Sequence, residues 1–213
     1  MSDTPRPRVL GVLGSPRVKS NSGVLLARVL AGAEGEGAEV EQVSLRELQL
    51  QSCQHCRGCD RTGECVLADE TRQLYTRLRQ AQHVVLASPV HFSGVSGEMK
   101  MVIDRAQAMW VEKYRLRRRP SEAPEPRRGL FIATCGGPDA RVFAWAGHSV
   151  KAFLNTAGFS YWGELFEMRM DEPPPVAERR ELLARAEKLG AELVRASGEG
   201  STGPSKESVR CGC

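Results

Sequence analysis

The sequence predicts an α/β domain, a doubly wound five-stranded parallel sheet with helices on both faces. Two observations carry the prediction. Five short strand-like runs recur along the chain, most of them apolar, and stretches with helical spacing separate them. Apolar runs without polar alternation suit strands covered by helices on either side. The chain has 213 residues, 41% of them hydrophobic and 26% charged, enough for one well-buried domain. It shows no internal repeat and no second core.

The elements follow in order. Residues 8–13 form a buried first strand. Helical spacing runs from Ser22 to about Ala33 through Val24, Leu25, Ala27 and Leu30. Residues 39–44 alternate as a second strand, and a cysteine-rich loop occupies 51–66. Asp69 is placed to cap a helix reaching Gln80, with the apolar stripe Leu74, Tyr75 and Leu78. Residues 83–88 read as a third strand and 97–111 as a helix. Residues 129–134 are a fourth strand, 141–157 a helix and 161–166 a fifth strand. Pro173, Pro174 and Pro175 open a last helix to about Ala196, since proline is tolerated at the first helical position. The domain therefore spans 1–196. Residues 197–213, rich in Gly, Ser, Glu and Lys, read as a flexible tail. Its Cys211 and Cys213 make a poor metal site, because a loose tail does not preform one.

The net charge of +4 is concentrated in one place. Segment 113–128 holds Lys113, Arg115, Arg117, Arg118, Arg119, Arg127 and Arg128 against Glu122 and Glu125, a local +5. A solvated loop is the default for such a run. Contact with an NADPH phosphate or an acidic redox partner is a second use. Nucleic acid is disfavoured, because aromatic interleaving is poor and the rest of the chain is not basic. No apolar run approaches the ~20 residues of a membrane span. The N-terminal residues lack a signal-peptide core, so a cytoplasmic location is expected.

Cys53, Cys56, Cys59 and Cys65 form a C-x2-C-x2-C-x5-C run. Three thiolates two residues apart on one short loop can converge on one small object, and Gly58 and Gly63 offer a flexible backbone for the wrap. The nearest spacing is the bacterial ferredoxin run, which holds iron–sulfur clusters. Here the last gap is longer and no proline follows. A structural zinc site usually takes two C-x2-C pairs across a longer spacer. Reduced, unliganded thiols are the plainest alternative. A disulfide framework is disfavoured by an odd total of 7 cysteines without a secretion signal. A [4Fe–4S] cluster fits the spacing best, with zinc and free thiols standing beside it.

After the first strand comes the loop Gly14 to Ser22. A loop at the carboxyl end of strand one, feeding a helix N-terminus, is where open α/β sheets bind phosphate. Ser15, Ser20 and Ser22 offer hydroxyls, Asn21 an amide and Arg17 a permanent charge. The loop is neither G-x-G-x-x-G nor a Walker loop. An ordinary polar loop with a capping serine is the competing reading.

GSPRVKSNS resembles the GSPR-x-x-SN-[ST] loop of the NADPH-dependent FMN reductase family, which is flavodoxin-like. SPVHFSGVSGEMKMVIDR, residues 88–105, resembles a second long motif of that family. A cysteine loop between the two is similar to the iron–sulfur flavoprotein branch. The resemblance covers roughly residues 8–170. It implies FMN, with Ser15, Arg17, Ser20, Asn21 and Ser22 at the phosphate. It implies that Pro89, Val90, His91, Phe92, Ser93 and Gly94 run along the isoalloxazine ring, joined by Thr134, Gly136 and Gly137. His91 departs from the family's usual Tyr and would add a group titrating near neutrality; a bystander loop histidine is the plainer reading. Cys135, beside the third loop, reads as a small buried residue rather than a redox thiol.

The function so implied is a flavoprotein oxidoreductase that exchanges electron pairs with NAD(P)H or a quinone and single electrons through a [4Fe–4S] cluster held by Cys53, Cys56, Cys59 and Cys65. No catalytic acid or base is assigned. The branch implies a homo-oligomer, dimer or tetramer, with a small-molecule or protein redox partner. A plain NAD(P)H-dependent FMN or quinone reductase with a zinc or empty cysteine loop is one alternative. A flavin- or metal-binding redox sensor is the other.

Overall fold

The computed structural model describes residues 6–195. Cys211, Cys213 and the rest of the tail lie outside the described residues. Five parallel strands form the sheet, β1 (Arg8–Leu13), β2 (Glu39–Ser44), β3 (His83–His91), β5 (Arg128–Thr134) and β6 (Ser160–Glu167), in the order β2-β1-β3-β5-β6. That is the flavodoxin-like order, with the chain reversing direction between β1 and β3. A two-residue strand β4 (Gly94–Val95), absent from the sequence expectation, folds back antiparallel on the end of β3.

Alternate strand side chains feed two cores. Leu10, Val12, Val84, Leu86, Phe131 and Ala133 point to one face. There they meet α2 (Thr71–Gln80), α3 (Gly97–Arg105), α4 (Gln107–Trp110) and α5 (Arg141–Thr156). Val9, Leu13, Val85, Ala87, Leu130 and Ile132 point to the other, beneath α1 (Asn21–Gly35) and α6 (Arg180–Arg195). Right-handed crossovers require this split, because β1→β2 runs in the opposite sense to the later connections. Helices α1 and α6 touch backbone to backbone. A Cβ at Gly32 would stand 1.9 Å from the Glu187 carbonyl oxygen, and one at Gly190 1.8 Å from that of Val29.

Three expectations are corrected. The last helix starts at Arg180, because the Pro173–Pro175 stretch stays irregular and Val176–Glu178 forms only a short 3-10 turn. The helix expected over 97–111 breaks at Ala106 and resumes as α4 and a π-helical turn, Val111–Arg115. Asp69 sits one residue before the N-cap position of α2, which is Glu70, although its carboxylate still accepts from the Thr71 amide at 3.1 Å.

The basic segment is also not simply solvated. Arg127 is buried and donates to the carbonyls of Leu78, Ala81 and Ala157, with its guanidinium 3.8 Å above the Phe159 ring. Burial lowers its pKa to about 10. No helix among the described residues is long and apolar enough to cross a membrane.

Candidate functional site

Two cavities open on the carboxyl edge of the sheet. The first, about 180 Å³, is lined by three loops. The loop after β1 contributes Ser15, Pro16, Arg17, Ser20, Asn21 and Ser22, the end of β3 contributes Pro89, Val90 and His91, and the loop after β5 contributes Thr134, Cys135 and Gly136. Met170 and Asp171, beyond β6, close the fourth side. Of the expected ring-loop residues, Phe92, Ser93, Gly94 and Gly137 are not part of this lining.

Local chemistry fixes each wall. The Gly14 amide donates to the Ala87 carbonyl at 2.7 Å, anchoring the first loop to β3. Ser20 is the N-cap of α1, its hydroxyl accepting from the Gly23 amide at 3.1 Å. The Ser15 hydroxyl accepts from the Arg17 amide at 3.3 Å. Asn21 turns its amide onto the Met170 carbonyl at 3.0 Å and so ties the first loop to the fourth wall. The Ser22 hydroxyl is different. Ser22 is 1% exposed and its Oγ has no hydrogen-bond partner. A buried, unsatisfied hydroxyl in the first turn of a helix, at the positive end of its dipole, fits a phosphate oxygen.

Ser88 and Ser96 brace the second loop. The Ser88 hydroxyl accepts from the Ser96 amide at 2.9 Å and donates to the Pro89 carbonyl at 2.8 Å. The Ser96 hydroxyl then caps α3 by accepting from Met99. Between His91 and Gly94, Phe92 and Ser93 both take positive φ, 48° and 65°. A two-residue hairpin turn of the primed type asks for that conformation, which normally selects Asn-Gly. Phe92 stands fully exposed at its tip. In the third loop the Cys135 amide donates to Glu167 at 3.0 Å, and Met170 donates back to the Cys135 carbonyl at 3.0 Å. Burial pushes the Cys135 thiol up. A Cβ at Gly136 would come 2.0 Å from the Asp171 carboxylate, so the Asp171 side chain lies directly over this glycine. Met170 and Asp171 carried no sequence signal, since only the fold brings them here.

The second cavity, about 340 Å³, has all four motif cysteines in its wall, with Arg57, Asp60, Arg105, Trp110 and Arg115 among the other lining residues. The four thiols are free. Among the described residues no three His, Cys, Asp or Glu side chains are gathered as ligands of a single ion. Burial raises the Cys59 thiol. The wrap uses backbone freedom in unexpected places. His55 and Arg57, on either side of Cys56, take positive φ, and so does Gly63. Gly58 serves instead as a close approach, because its Cβ would sit 2.5 Å from a Val66 methyl.

A buried ion pair shuts the base of this loop. Arg105, the last residue of α3, donates to both oxygens of Asp69 at 2.7 and 3.1 Å and to the Gln51 carbonyl at 2.9 Å. Asp69 accepts from the Gln51 amide at 3.0 Å. Arg105 is 2% exposed, and its Nε has no hydrogen-bond partner. Burial alone would raise the Asp69 carboxyl; hydrogen bonds from Arg105, Gln51 and Thr71 outweigh it and hold it low. The basic segment straps the same loop from outside. Arg115 pairs with Asp60 at 2.9 Å, and Arg118 donates to the Thr62 carbonyl at 3.3 Å. Sequence reasoning placed the cysteines and missed this clamp. Four thiols, three arginines and the buried, unpartnered Arg105 Nε around a single cavity suit an anionic metal–thiolate group.

Residues 7–147 match the family of NADPH-dependent FMN reductases. An iron-sulfur flavoprotein of Methanocaldococcus jannaschii is 34% identical over 104 residues, 49% of this chain and 54% of the relative. One from Archaeoglobus fulgidus is 36% identical over 106 residues, 50% of this chain and 54% of the relative. The chain thus spans about half the length of these curated relatives. Among solved structures, an NAD(P)H:quinone oxidoreductase from Methanothermobacter marburgensis superposes with a TM-score of 0.62 at 16% identity, over 89% of this chain and 98% of that one. An FMN-dependent NADH-azoreductase from Bacillus anthracis gives 0.61 at 14% identity, over 88% and 99%. At those identities the structures speak for the fold alone. The family match spans well over half of the sequence and includes both the phosphate-type loop and the hairpin loop, so the chain belongs to the NADPH-dependent FMN reductase family.

Proposed function

We propose that this chain is a flavin-dependent oxidoreductase with FMN in the first cavity and one [4Fe–4S] cluster in the second. It would move electrons between NAD(P)H or a quinone-type compound and a one-electron partner. The observation that carries the reading is the crevice at the carboxyl ends of β1, β3 and β5, where the idle Ser22 hydroxyl meets the N-terminus of α1. An anion seated there gains the helix dipole, free amides and Ser22 at once. Arg17 lies on the same wall as a permanent counter-charge. Pro89–His91 and Thr134–Gly136 line the same cavity, where the flavin ring would lie. When bound, FMN accepts electrons in pairs or singly and a cluster accepts them singly, which joins two-electron to one-electron chemistry.

The cysteine assignment is supported by the four thiols lining one cavity and by the curated relatives' names. A zinc ion at ~2.3 Å from each sulfur needs its ligands gathered at a point, whereas a cluster takes them from around a cavity. A homo-oligomer, dimer or tetramer, belongs to the same reading and rests on the family resemblance.

The test is protein purified without oxygen. Flavin bands with broad absorption near ~400 nm, together with iron and acid-labile sulfide, are expected. Cys59→Ala should lose the broad absorption or yield a three-iron species while the flavin bands persist. Stoichiometric zinc without sulfide would replace the cluster by the plain reductase reading. Absence of flavin after incubation with FMN would overturn the proposal as a whole.

A further inference from the structure

Arg105 has features that a purely structural ion pair does not need. Its guanidinium is gripped on one side by Asp69 and the Gln51 carbonyl, which take both N–H groups of Nη1 and one of Nη2. Its Nε is left buried and without a partner, in a side chain that lines the cysteine cavity. An arginine kept as a surface donor would leave that N–H to water; here burial removes the option. Burial disfavours the charged guanidinium, yet Asp69 and the neighbouring Cys65 together hold it firmly protonated.

The three contacts divide the side chain into two halves. One half closes the loop, since Gln51 begins the cysteine segment and Asp69 follows it. Arg72 secures the exit by donating to the Cys65 carbonyl at 3.1 Å. On the other half, Cys65 is near enough to act on the guanidinium, and both residues line the same cavity. Asp69 balances the charge of Arg105, so the pair brings little net charge to the cavity, and what the unpartnered Nε adds is a directed donor.

We propose that Arg105 is a positioning residue for the cysteine-held group: it clamps the ends of the loop and donates its Nε–H to the sulfur of Cys65. The proposal rests on the cluster reading above. A donor to a ligating sulfur favours the more negative, reduced state, so it raises the reduction potential. No proton or bond changes hands.

The test is a redox titration of the full chain, purified anaerobically and followed by absorption, in wild type and Arg105→Lys. Lysine keeps the positive charge beside Asp69 and loses the directed Nε–H. The cluster's one-electron reduction equilibrium should weaken about tenfold, a shift of about 60 mV to lower potential, while the FMN couple stays put. Loss of sulfide with FMN retained also supports the role, through failure to close the loop. A loaded cluster titrating at the wild-type potential overturns it. Should Arg105→Lys not fold, the double variant D69N/R105Q removes both buried charges together and is judged by the same titration. Wild-type protein without sulfide refutes the cluster reading instead, and that result is read before any variant is made.

Discussion

Replacing Ser22 by alanine should push the protein in two opposite directions. In the flavin-free chain the Ser22 hydroxyl is buried and unpartnered. An unsatisfied buried polar group costs about 1–3 kcal/mol, and its removal leaves little empty volume. Ser22→Ala should therefore stabilise the flavin-free protein by about 1 kcal/mol, or roughly 2–4 °C in Tm for a chain of this length. In the proposed FMN complex the same hydroxyl donates to a phosphate oxygen, a charge-assisted bond worth about 1.5–3 kcal/mol. FMN affinity should then fall about tenfold to hundredfold. Riboflavin, which lacks the phosphate, should bind both proteins equally. Thermal unfolding of the flavin-free forms and quenching of flavin fluorescence on binding read the two effects separately. A general packing defect would lower both quantities. The reasoning fails if the variant is less stable than wild type without flavin, or if its affinity for FMN is unchanged.

Gly190→Ala should destabilise the fold by about 3 kcal/mol, the upper end for overpacking, because the new methyl meets the Val29 backbone on α1 and not a movable side chain; urea unfolding checks it, and a loss under 1 kcal/mol would mean the helices part freely. Acid should destabilise the protein before its carboxylates titrate. Burial, then Arg128 and Arg127, depress His83 from 6.5 to about 4, so the fold holds it neutral. The stability this gives is complete above pH 6.5 and is lost as pH falls toward 4, amounting to about 3 kcal/mol. Unfolding free energies of wild type and His83→Leu across that window should have different slopes, and parallel profiles would remove His83 from the account.

The sheet was legible because its three central strands, β1, β3 and β5, are apolar on both faces and its helices carry clear stripes; Leu74, Tyr75 and Leu78 face the core as their spacing requires. The first loop was legible because a βα loop followed by a capping serine is a local pattern. What could not be read was anything set by tertiary contact. Asp104 and Arg105 are adjacent charged residues at the end of one helix. Asp104 makes an exposed i,i+4 pair with Lys100, a type of contact worth little. Arg105, one position on, is buried and holds the cysteine loop. Nothing local separates the two, because the 100° step between them decides which faces the core. Arg127 was hidden in the same way, inside a run whose other members are mostly solvated. The proline stretch misled for a physical reason: proline is tolerated at a helix start without compelling one, and three in succession deprive a first turn of the amides a ligand or cap would use.

The topology gives a reason for the two cavities to lie on one edge. In a parallel sheet every strand delivers its following loop to the same side. The loops after β1, β3 and β5 build the first cavity, and the loop after β2 builds the second. Because β2 pairs with β1, the cysteine loop leaves the sheet beside the phosphate-type loop. Helix α3 spans what lies between. It begins at Ser96, whose amide is braced by Ser88 under the hairpin loop, and ends at Arg105 in the wall of the cysteine cavity. Nine residues at 1.5 Å each make it about 14 Å long. That short helix, buried through Met99 and Val102, is fixed by hydrogen bonds at both ends, to the strand that carries the hairpin loop at one and to Asp69 at the other. Arg105, which grips the cysteine loop, is thereby carried on the same helix whose start is braced beneath the hairpin loop.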